Sequence, residues 1–376
     1  MHILQETANC VKDSLQKSTT VCEYSGQLYD DSMQTPQSLE YRPDTYATHE
    51  INCKVTCMDF HPHKSLLIAG GDDGCVYLCN LASEMDSVEI EKGEPITHVK
   101  WRPFSPLEFV AVTRNYVYRV FFANSSMSLP TIKREFIPRL LHRKPVQRAS
   151  LLTTDLFGDN IAVYTSFKLK NISCISYSSN GSTLYIGVPG GLYSLDCNTN
   201  KLEWTTRTSL RKTPIDAIVD TPIGVMVAVG DSFAVLQNGG VDEYDIAQDV
   251  QKITAGKHYS VIAGEREISV ASTRGHFSVL GVPINMAMVH NYGGPLDITE
   301  SDMTGQRIAV THKRCPGITL MSNNDSGTNL IGIIKNDERS VRQMTFHKDC
   351  QYGALLAVAW ENGADTLLTF VPMIFK

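Results

Sequence analysis

The chain alternates short apolar runs of strand length with turns that are rich in glycine, proline and acidic residues. In the stretch 55–81, Val55–Phe60 is β-branched and aromatic, and an apolar run at Leu66–Ala69 follows a turn that contains proline. Gly70–Gly74 supplies three glycines and two aspartates, which suit a tight turn, and Cys75–Leu81 is apolar again. This order predicts a four-stranded antiparallel sheet. Because one such sheet cannot bury both faces, we expect the unit to repeat.

The same order of strands and turns recurs along the chain. The second copy starts 41 residues after the first, with Thr97 in the place of Thr56. Further copies and strand-rich regions begin at Ile172, Ile215, Ile253, Leu296 and Val341. These make seven units, and Ala149–Phe167 is a further hairpin whose assignment stays open. With no helical heptads, the repeat predicts an all-β propeller with seven blades, or eight if this hairpin forms its own blade.

The two ends of the chain are expected to close the ring together. The last run, Phe370–Lys376, has the character of a third strand, so the last blade lacks its outermost strand. A segment between Thr19 and Cys53 would complete that sheet and remove an exposed edge. We therefore predict a polar, partly ordered N-terminal arm over residues 1–50 that supplies the closing strand, and a propeller over residues 51–376.

Composition excludes several classes of function. The net charge of −6 and the pI of about 6.0 give no general attraction to nucleic acid or to anionic lipid. The N-terminus lacks the features of a signal peptide, and no window approaches roughly eighteen consecutive apolar residues. Most of the ten cysteines lie in apolar runs, which favours a reducing compartment. We expect a soluble protein that is neither secreted nor inserted in a membrane.

Four cysteines near the first unit have the composition of a metal site. Cys53 and Cys57 form one pair and Cys75 and Cys79 another, with two histidines between the pairs. Residues four apart in an extended strand share a face but are separated by roughly 13 Å, too far for two thiolates to hold one zinc ion. Buried structural cysteines are therefore expected.

Two other short patterns resemble catalytic or ion-binding motifs. Gly230–Phe233 resembles a nucleophile motif, but no helix pattern follows it. Asp72-Asp73-Gly74 resembles a cation-binding loop, but no bidentate glutamate follows at the required distance, so a turn is expected. The sequence also contains no glycine-rich phosphate loop. We therefore predict a non-enzymatic protein with no cofactor, no bound metal and no small-molecule substrate.

One segment, residues 130–148, departs from the acidic charge of the chain. Against the single acidic residue Glu135 it carries six basic residues, which are Lys133, Arg134, Arg139, Arg143, Lys144 and Arg148. As a loop between two blades, the segment could bind an acidic partner, RNA or a transport receptor. A solvated linker with basic decoration is the interpretation that the charge pattern alone favours. We take the six residues as candidate partner-binding residues and do not expect nucleic acid as the partner.

Motifs at both ends of the repeat resemble one known family. Val55–Asn80, with its His61-Pro62-His63 turn, and Ile96–Val112, with Trp101-Arg102-Pro103-Phe104-Ser105, resemble the first propeller repeats of the aladin family of WD-repeat nucleoporins. The stretch from Ile331 to Trp360 is similar to the end of that propeller in order and spacing.

The chain also departs from this family. Cys79-Asn80 stands where WD repeats have Trp-Asp, and the family's longer N-terminal region and C-terminal tail are short or missing. A diverged member is therefore expected.

The resemblance implies a WD-repeat-type propeller that acts as a scaffold subunit of the nuclear pore complex and supports nucleocytoplasmic transport of protein and mRNA. It implies other nucleoporins as partners and a transmembrane nucleoporin as an anchor. It also implies localisation at the nuclear envelope, and molecules that are not at the pore are expected to be soluble in the cytoplasm or nucleus. The alternative is a WD-repeat adaptor of another assembly, for instance in ubiquitin ligase, autophagy or RNA processing.

Overall fold

A computed structural model gives the fold of most of the chain. It describes residues 38–40, 47–62, 66–80, 85–105, 107–124, 147–151, 160–204, 215–221, 224–230, 232–237, 240–245, 250–256, 259–264, 267–272, 278–285, 295–313, 317–324, 327–335, 339–347 and 353–374. Strands within these ranges form seven sheets, and no helix occurs in them. The predicted seven-bladed β-propeller is confirmed.

The thirty strands fall into an N-terminal arm and seven blades. Those of the arm and of blades 1 to 3 are β1 (Ser38–Glu40), β2 (Ala47–Ile51), β3 (Val55–Phe60), β4 (Leu66–Gly71), β5 (Cys75–Asn80), β6 (Met85–Glu89), β7 (His98–Trp101), β8 (Glu108–Val112), β9 (Tyr116–Asn124), β10 (Gln147–Leu151), β11 (Asn160–Lys168), β12 (Cys174–Tyr177), β13 (Thr183–Val188), β14 (Gly191–Asp196) and β15 (Lys201–Trp204).

The remaining strands build blades 4 to 7. They are β16 (Ala217–Thr221), β17 (Gly224–Val229), β18 (Ser232–Gln237), β19 (Gly240–Asp245), β20 (Val250–Ala255), β21 (Tyr259–Gly264), β22 (Glu267–Ser272), β23 (Ser278–Asn285), β24 (Leu296–Ser301), β25 (Arg307–His312), β26 (Ile318–Asn324), β27 (Gly327–Lys335), β28 (Val341–Phe346), β29 (Gly353–Asn362) and β30 (Asp365–Ile374).

The first strand of each blade lies at the centre of the ring. Each of these seven strands contacts the first strand of the next blade, and β28 of blade 7 contacts β3 of blade 1. From this inner ring the first three strands of each sheet run outward in the order of the chain, as β3-β4-β5 do in blade 1. Radial repetition of this kind leaves only short outer edges exposed.

Closure of the ring uses both ends of the propeller. β2 pairs antiparallel with β30, from Ala47 opposite Phe370 to Ile51 opposite Thr366. Thr366 then joins blade 7 to blade 1, because its hydroxyl accepts the Val55 N–H at 3.0 Å and donates to the Cys53 carbonyl at 2.8 Å. The N-terminal closing strand and the third-strand position of the last run are both confirmed.

The arm also contributes a strand to a second blade. β1 pairs in parallel with the outer strand β27 of blade 6, with Ser38 opposite Ile333 and Glu40 opposite Lys335. Blade 6 therefore has five strands, and the arm connects the two blades on one side of the closure.

The hairpin whose assignment the sequence left open belongs to blade 2. β11 pairs with β9, and β10 pairs with β11 at the outer edge, so blade 2 has five strands in the order β7-β8-β9-β11-β10. This accounts for the long gap before the third copy without an eighth blade. The basic segment was expected to connect two blades, and this expectation is wrong. Along the chain the segment comes between β9 and β10, and both strands belong to the sheet of blade 2.

Apolar side chains of neighbouring blades pack together around the ring. Ile68 and Leu78 of blade 1 lie in one buried cluster with Trp101 and Phe109 of blade 2. All six residues of β4 are buried, since both faces of its sheet meet another blade. A sheet covered on both faces explains the continuous apolar runs in the sequence.

Candidate protein-interaction surface

Most of the predicted partner-binding residues lie outside the described part of the chain. Lys133, Arg134, Arg139, Arg143 and Lys144 fall in the gap between residues 124 and 147. Arg148 lies in β10, opposite Tyr164 of β11. Their role in binding stays a prediction. The nearest described residues on either side are Asn124, the last residue of β9, and Gln147, the first residue of β10 at the outer edge of the same blade.

The turn between β7 and β8 is the most exposed apolar feature among the described residues. Phe104 is 70% exposed and Leu107 is 39% exposed, and the third large exposed apolar residue is Trp204 in blade 3. Phe104 has a φ of 58°, in the left-handed region that side chains rarely adopt. The turn continues from the inner strand and lies at the edge of the ring where β9 ends, since the Phe122 N–H donates to the Leu107 carbonyl at 3.0 Å.

A buried network of charges holds the base of this turn. The Glu108 carboxylate accepts hydrogen bonds from Arg102 Nη1 at 2.6 Å and from Arg119 Nε at 2.8 Å. Glu108 is 2% and Arg119 is 1% exposed, so this pair lies away from solvent, whereas the Arg102 side chain is 17% exposed. Each also reaches blade 3, where Arg102 Nη2 donates to Asn198 Oδ1 at 3.0 Å and Arg119 donates to Asn200 Oδ1.

The centre of the ring carries two ion pairs between blades. Lys100 Nζ of β7 lies 3.1 Å from Asp59 Oδ1 of β3, and Lys252 of β20 pairs with Glu300 of β24. Burial lowers the pKa of Lys100, but Asp59 and Glu300 outweigh this effect and raise it. The charges balance because two ammonium groups face two carboxylates. The two ion pairs connect inner strands of different blades.

The cysteines of blade 1 have the environment of structural thiols. Cys53 and Cys79 are buried, as predicted, whereas Cys57 and Cys75 are half-buried. Burial raises the pKa of Cys53 to about 11 and that of Cys79 to about 12. Within the described ranges, no group of three or more ligand side chains could hold a metal ion.

The turn predicted at Asp72-Asp73-Gly74 is present. Asp72 Oδ1 accepts the Lys54 N–H at 3.1 Å and Asp73 Oδ1 accepts the Cys75 N–H at 3.0 Å, so both carboxylates cap backbone groups. Gly74 has a φ of 90°, which needs glycine. Ser232 lies in the pattern Gly230–Phe233, which resembles a nucleophile motif. It is the first residue of β18, so a strand follows it and not a helix.

Sequence reasoning singled out neither the exposed turn nor its buried base as a site. Arg119 and Asn200 are separated by 81 residues, so their contact has no local signal. Phe104 does have a local signal in the sequence, since it is an aromatic residue between Pro103 and Pro106, where a turn favours polar residues.

No helix in the described part of the chain is both long and apolar enough to span a membrane.

Comparison with known proteins agrees with the fold. The family described as WD domain, G-beta repeat matches residues 43–80, which hold the closing strand and the first three strands of blade 1. The chain is thus a seven-bladed β-propeller that carries a WD40 repeat. No curated protein sequence gives a significant match.

Solved structures with the same architecture have little sequence similarity to this chain. Chaetomium thermophilum Raptor superposes with a TM-score of 0.59 at 9% identity over 88% of this chain, which spans 30% of Raptor. The β-propeller domain of Myceliophteria thermophila Cps50 (Swd1) gives a TM-score of 0.44 at 11% identity, over 84% of this chain and 82% of that domain. At these identities the first likeness shows the fold alone, and a propeller fold does not specify a function.

Proposed function

We propose that the chain is a non-enzymatic scaffold subunit of the nuclear pore complex with an aladin-like role in nucleocytoplasmic transport. The scaffold function rests on the WD40 repeat and on the propeller, a fold that typically presents surfaces for protein interaction. The nuclear pore assignment rests on the sequence resemblance at the two ends of the ring.

The positions of the two similar stretches support this proposal. Val55–Asn80 contains β3 to β5 of blade 1 and Ile96–Val112 contains β7 and β8 of blade 2, whereas the stretch from Ile331 to Trp360 runs from β27 of blade 6 to β29 of blade 7. These blades are neighbours, and Phe60 packs in one buried cluster with Leu355. The resemblance therefore covers one continuous part of the ring around its closure rather than two separate pieces.

The proposed partners are other nucleoporins, with a transmembrane nucleoporin as the anchor at the nuclear envelope. Contact through proteins fits the net charge of −6, which gives no general attraction to lipid or nucleic acid. The six basic residues of segment 130–148 are the proposed contact for an acidic region of a partner.

Localisation and proximity labelling of the tagged full chain in cells would test the proposal. We expect a rim at the nuclear envelope and labelling of nucleoporins. A uniform cytosolic signal without nucleoporin labelling would contradict it. Recovery of ubiquitin ligase, autophagy or RNA-processing subunits instead would favour the adaptor function.

The basic segment is tested by glutamine substitution of its six candidate residues. We expect loss of nucleoporin labelling, because the attraction to an acidic partner is removed. A matched control replaces six exposed basic residues elsewhere, which are Lys92, Arg114, Lys168, Lys170, Lys201 and Lys313. Equal labelling by both variants would assign the segment to a solvated linker.

A further inference from the structure

The outer edge of blade 6 lacks the residues that protect the outer edges of the other blades. A strand at a sheet edge presents unpaired N–H and C=O groups, and a charge or a proline within the strand keeps other chains from pairing with it. In β27 neither a charged residue nor a proline precedes Lys335, the last residue of the strand. The outermost strands of the other six blades each carry such a residue: Asp86 in β6, Arg148 in β10, Glu203 in β15, Asp242 in β19, Pro283 in β23 and Glu50 in β2.

β1 covers only one part of this edge. It pairs in parallel with Ile333–Lys335. A bulge at Ile331 divides β27, and β1 lies entirely after this bulge. Among the described strands, none pairs with Gly327–Leu330 on the outer side. A strand that served only to shield the edge would cover its whole length, so shielding alone does not account for β1.

β1 can leave blade 6 without opening the ring. The last sheet is closed by β2, and residues 41–46 separate β1 from β2 along the chain. Without β1, blade 6 still has the four strands that most of the other blades have. Three residues of parallel pairing form few hydrogen bonds, and the entropy lost in ordering these residues opposes them. A longer strand can therefore replace β1.

The register of β1 indicates the chemistry of a strand that fits this edge. Leu39 stands opposite Ile334, and Glu40 stands opposite Lys335. Apolar and oppositely charged residues at neighbouring positions of two strands stabilise their pairing. Before the bulge, β27 offers only uncharged residues, Gly327–Leu330. A complementary segment is therefore extended and uncharged at its start, and it ends on an apolar residue followed by an acidic one.

We infer that the outer edge of β27 is a docking site for an extended segment of this kind from a partner protein, which takes the place of β1 and adds a strand to blade 6. Backbone hydrogen bonds to β27 hold the segment, and the residues opposite Ile334 and Lys335 select it. β1 competes for the same edge from within the chain. This inference depends on the geometry of blade 6 and is independent of the nuclear pore proposal.

Peptide binding to the full chain tests the inference. The probe is a synthetic peptide about eight residues long, in which alternating threonine and valine precede the Ser-Leu-Glu-Tyr of residues 38–41. Fluorescence anisotropy is expected to show binding to the full chain. Binding should be about tenfold tighter to the chain without residues 1–41, which keeps all seven blades and β2, because β1 no longer competes at a high effective concentration.

A control peptide carries two consecutive prolines in place of Ser-Leu. It is expected not to bind, because proline donates no backbone hydrogen bond. The inference would be overturned by absence of binding to both chains, by equal affinity for the two chains, or by equal binding of the proline peptide.

Charge reversal in the full chain tests the register. Wild type is expected to prefer the probe about threefold over a peptide with lysine in place of its glutamate, and Lys335→Glu is expected to reverse this preference. Competition by β1 affects both peptides equally, so it leaves the ratio of the two affinities unchanged. Lys313→Glu, which alters an exposed lysine of the same blade, is the matched control and should keep the wild-type preference. A preference that is unchanged in Lys335→Glu would overturn the inference.

Light scattering after size-exclusion chromatography distinguishes a partner protein from a second copy of this chain. We expect the mass of the full chain and that of the chain without residues 1–41 to correspond to the same oligomeric state. A dimer of the full chain that disappears on removal of residues 1–41 would mean that β1 of a second copy occupies the edge. That result would overturn the assignment to a partner protein.

Discussion

At the scale of single residues, His98 shows how the inner strands set a protonation state. Its pKa is lowered to about 4, chiefly by burial and also by the charges of Lys100 and Lys252, while a hydrogen bond to the Ser173 backbone acts in the opposite direction. The imidazole is therefore neutral near pH 7 in the folded protein, whereas in the unfolded chain its pKa is about 6.5.

This difference predicts a loss of stability in acid. Below about pH 6.5 the unfolded chain binds a proton that folded His98 does not, so the contribution of His98 is fully present above pH 6.5 and falls as the pH drops toward 4. Between these pH values the free energy of unfolding is expected to fall by about 1.4 kcal/mol per pH unit because of His98.

Urea denaturation of wild type and His98→Asn between these pH values gives the free energy of unfolding as a function of pH for each protein. The difference between the two curves measures the contribution of His98. His49, whose pKa burial also lowers, contributes to both curves and cancels. Parallel curves would contradict the assignment.

At the scale of elements, the junction of blades 2 and 3 depends on Glu108. Removing its charge takes away the carboxylate to which both Arg102 and Arg119 pair, while Arg119 stays buried. Breaking a buried ion pair by removing one partner typically costs about 3–5 kcal/mol, so we expect Glu108→Gln to lower the free energy of unfolding by about that amount.

Denaturant unfolding of Glu108→Gln measures this loss, and blade 3 offers a matched control. Lys201 and Glu203 form an ion pair with side chains 61% and 56% exposed, where water screens the charges. Glu203→Gln is therefore expected to unfold at the wild-type midpoint. Equal midpoints for the two variants would show that the buried network does not stabilise the junction.

At the scale of the whole molecule, the features predictable from the sequence are those that repeat. Alternating apolar runs and turns identified the seven blades, and the third-strand character of Phe370–Lys376 implied a closing strand from the arm. The Ala149–Phe167 hairpin stayed ambiguous because its local pattern is the same whether it forms a new blade or completes an old one. β1 was missed because a three-residue parallel strand depends on β27 for its conformation rather than on its own pattern.

The candidate site was less predictable because it depends on contacts between blades. The Arg102–Glu108–Arg119 network joins residues on three elements and ends on amides of blade 3, so no spacing in the sequence encodes it. Phe104 lies in the motif Trp101–Ser105, but its 70% exposure and its φ of 58° are properties of the folded turn that no local pattern encodes. The chemistry of the turn was therefore visible in the sequence, and its accessibility was not.

Two truncations distinguish the roles of the two arm strands in holding the ring. Of the described strands, deleting residues 1–41 removes only β1, whereas deleting residues 1–51 also removes β2 and the fully buried Ile51. We expect little change for the shorter deletion. The longer one should lose more than about 3 kcal/mol, because it leaves a cavity beside Phe370 and unpairs the edge of β30.

Thermal denaturation and size-exclusion chromatography measure these effects, with aggregation expected only for the longer deletion. A synthetic peptide of residues 43–53 supplies a control in trans. If β2 closes the ring by pairing with β30, the peptide binds the folded truncated protein and raises its melting temperature with concentration, and a peptide with Ile51→Asp does not. Equal melting of the two truncations, or no rescue by the wild-type peptide, would mean that the packing between blades holds the ring closed without this strand.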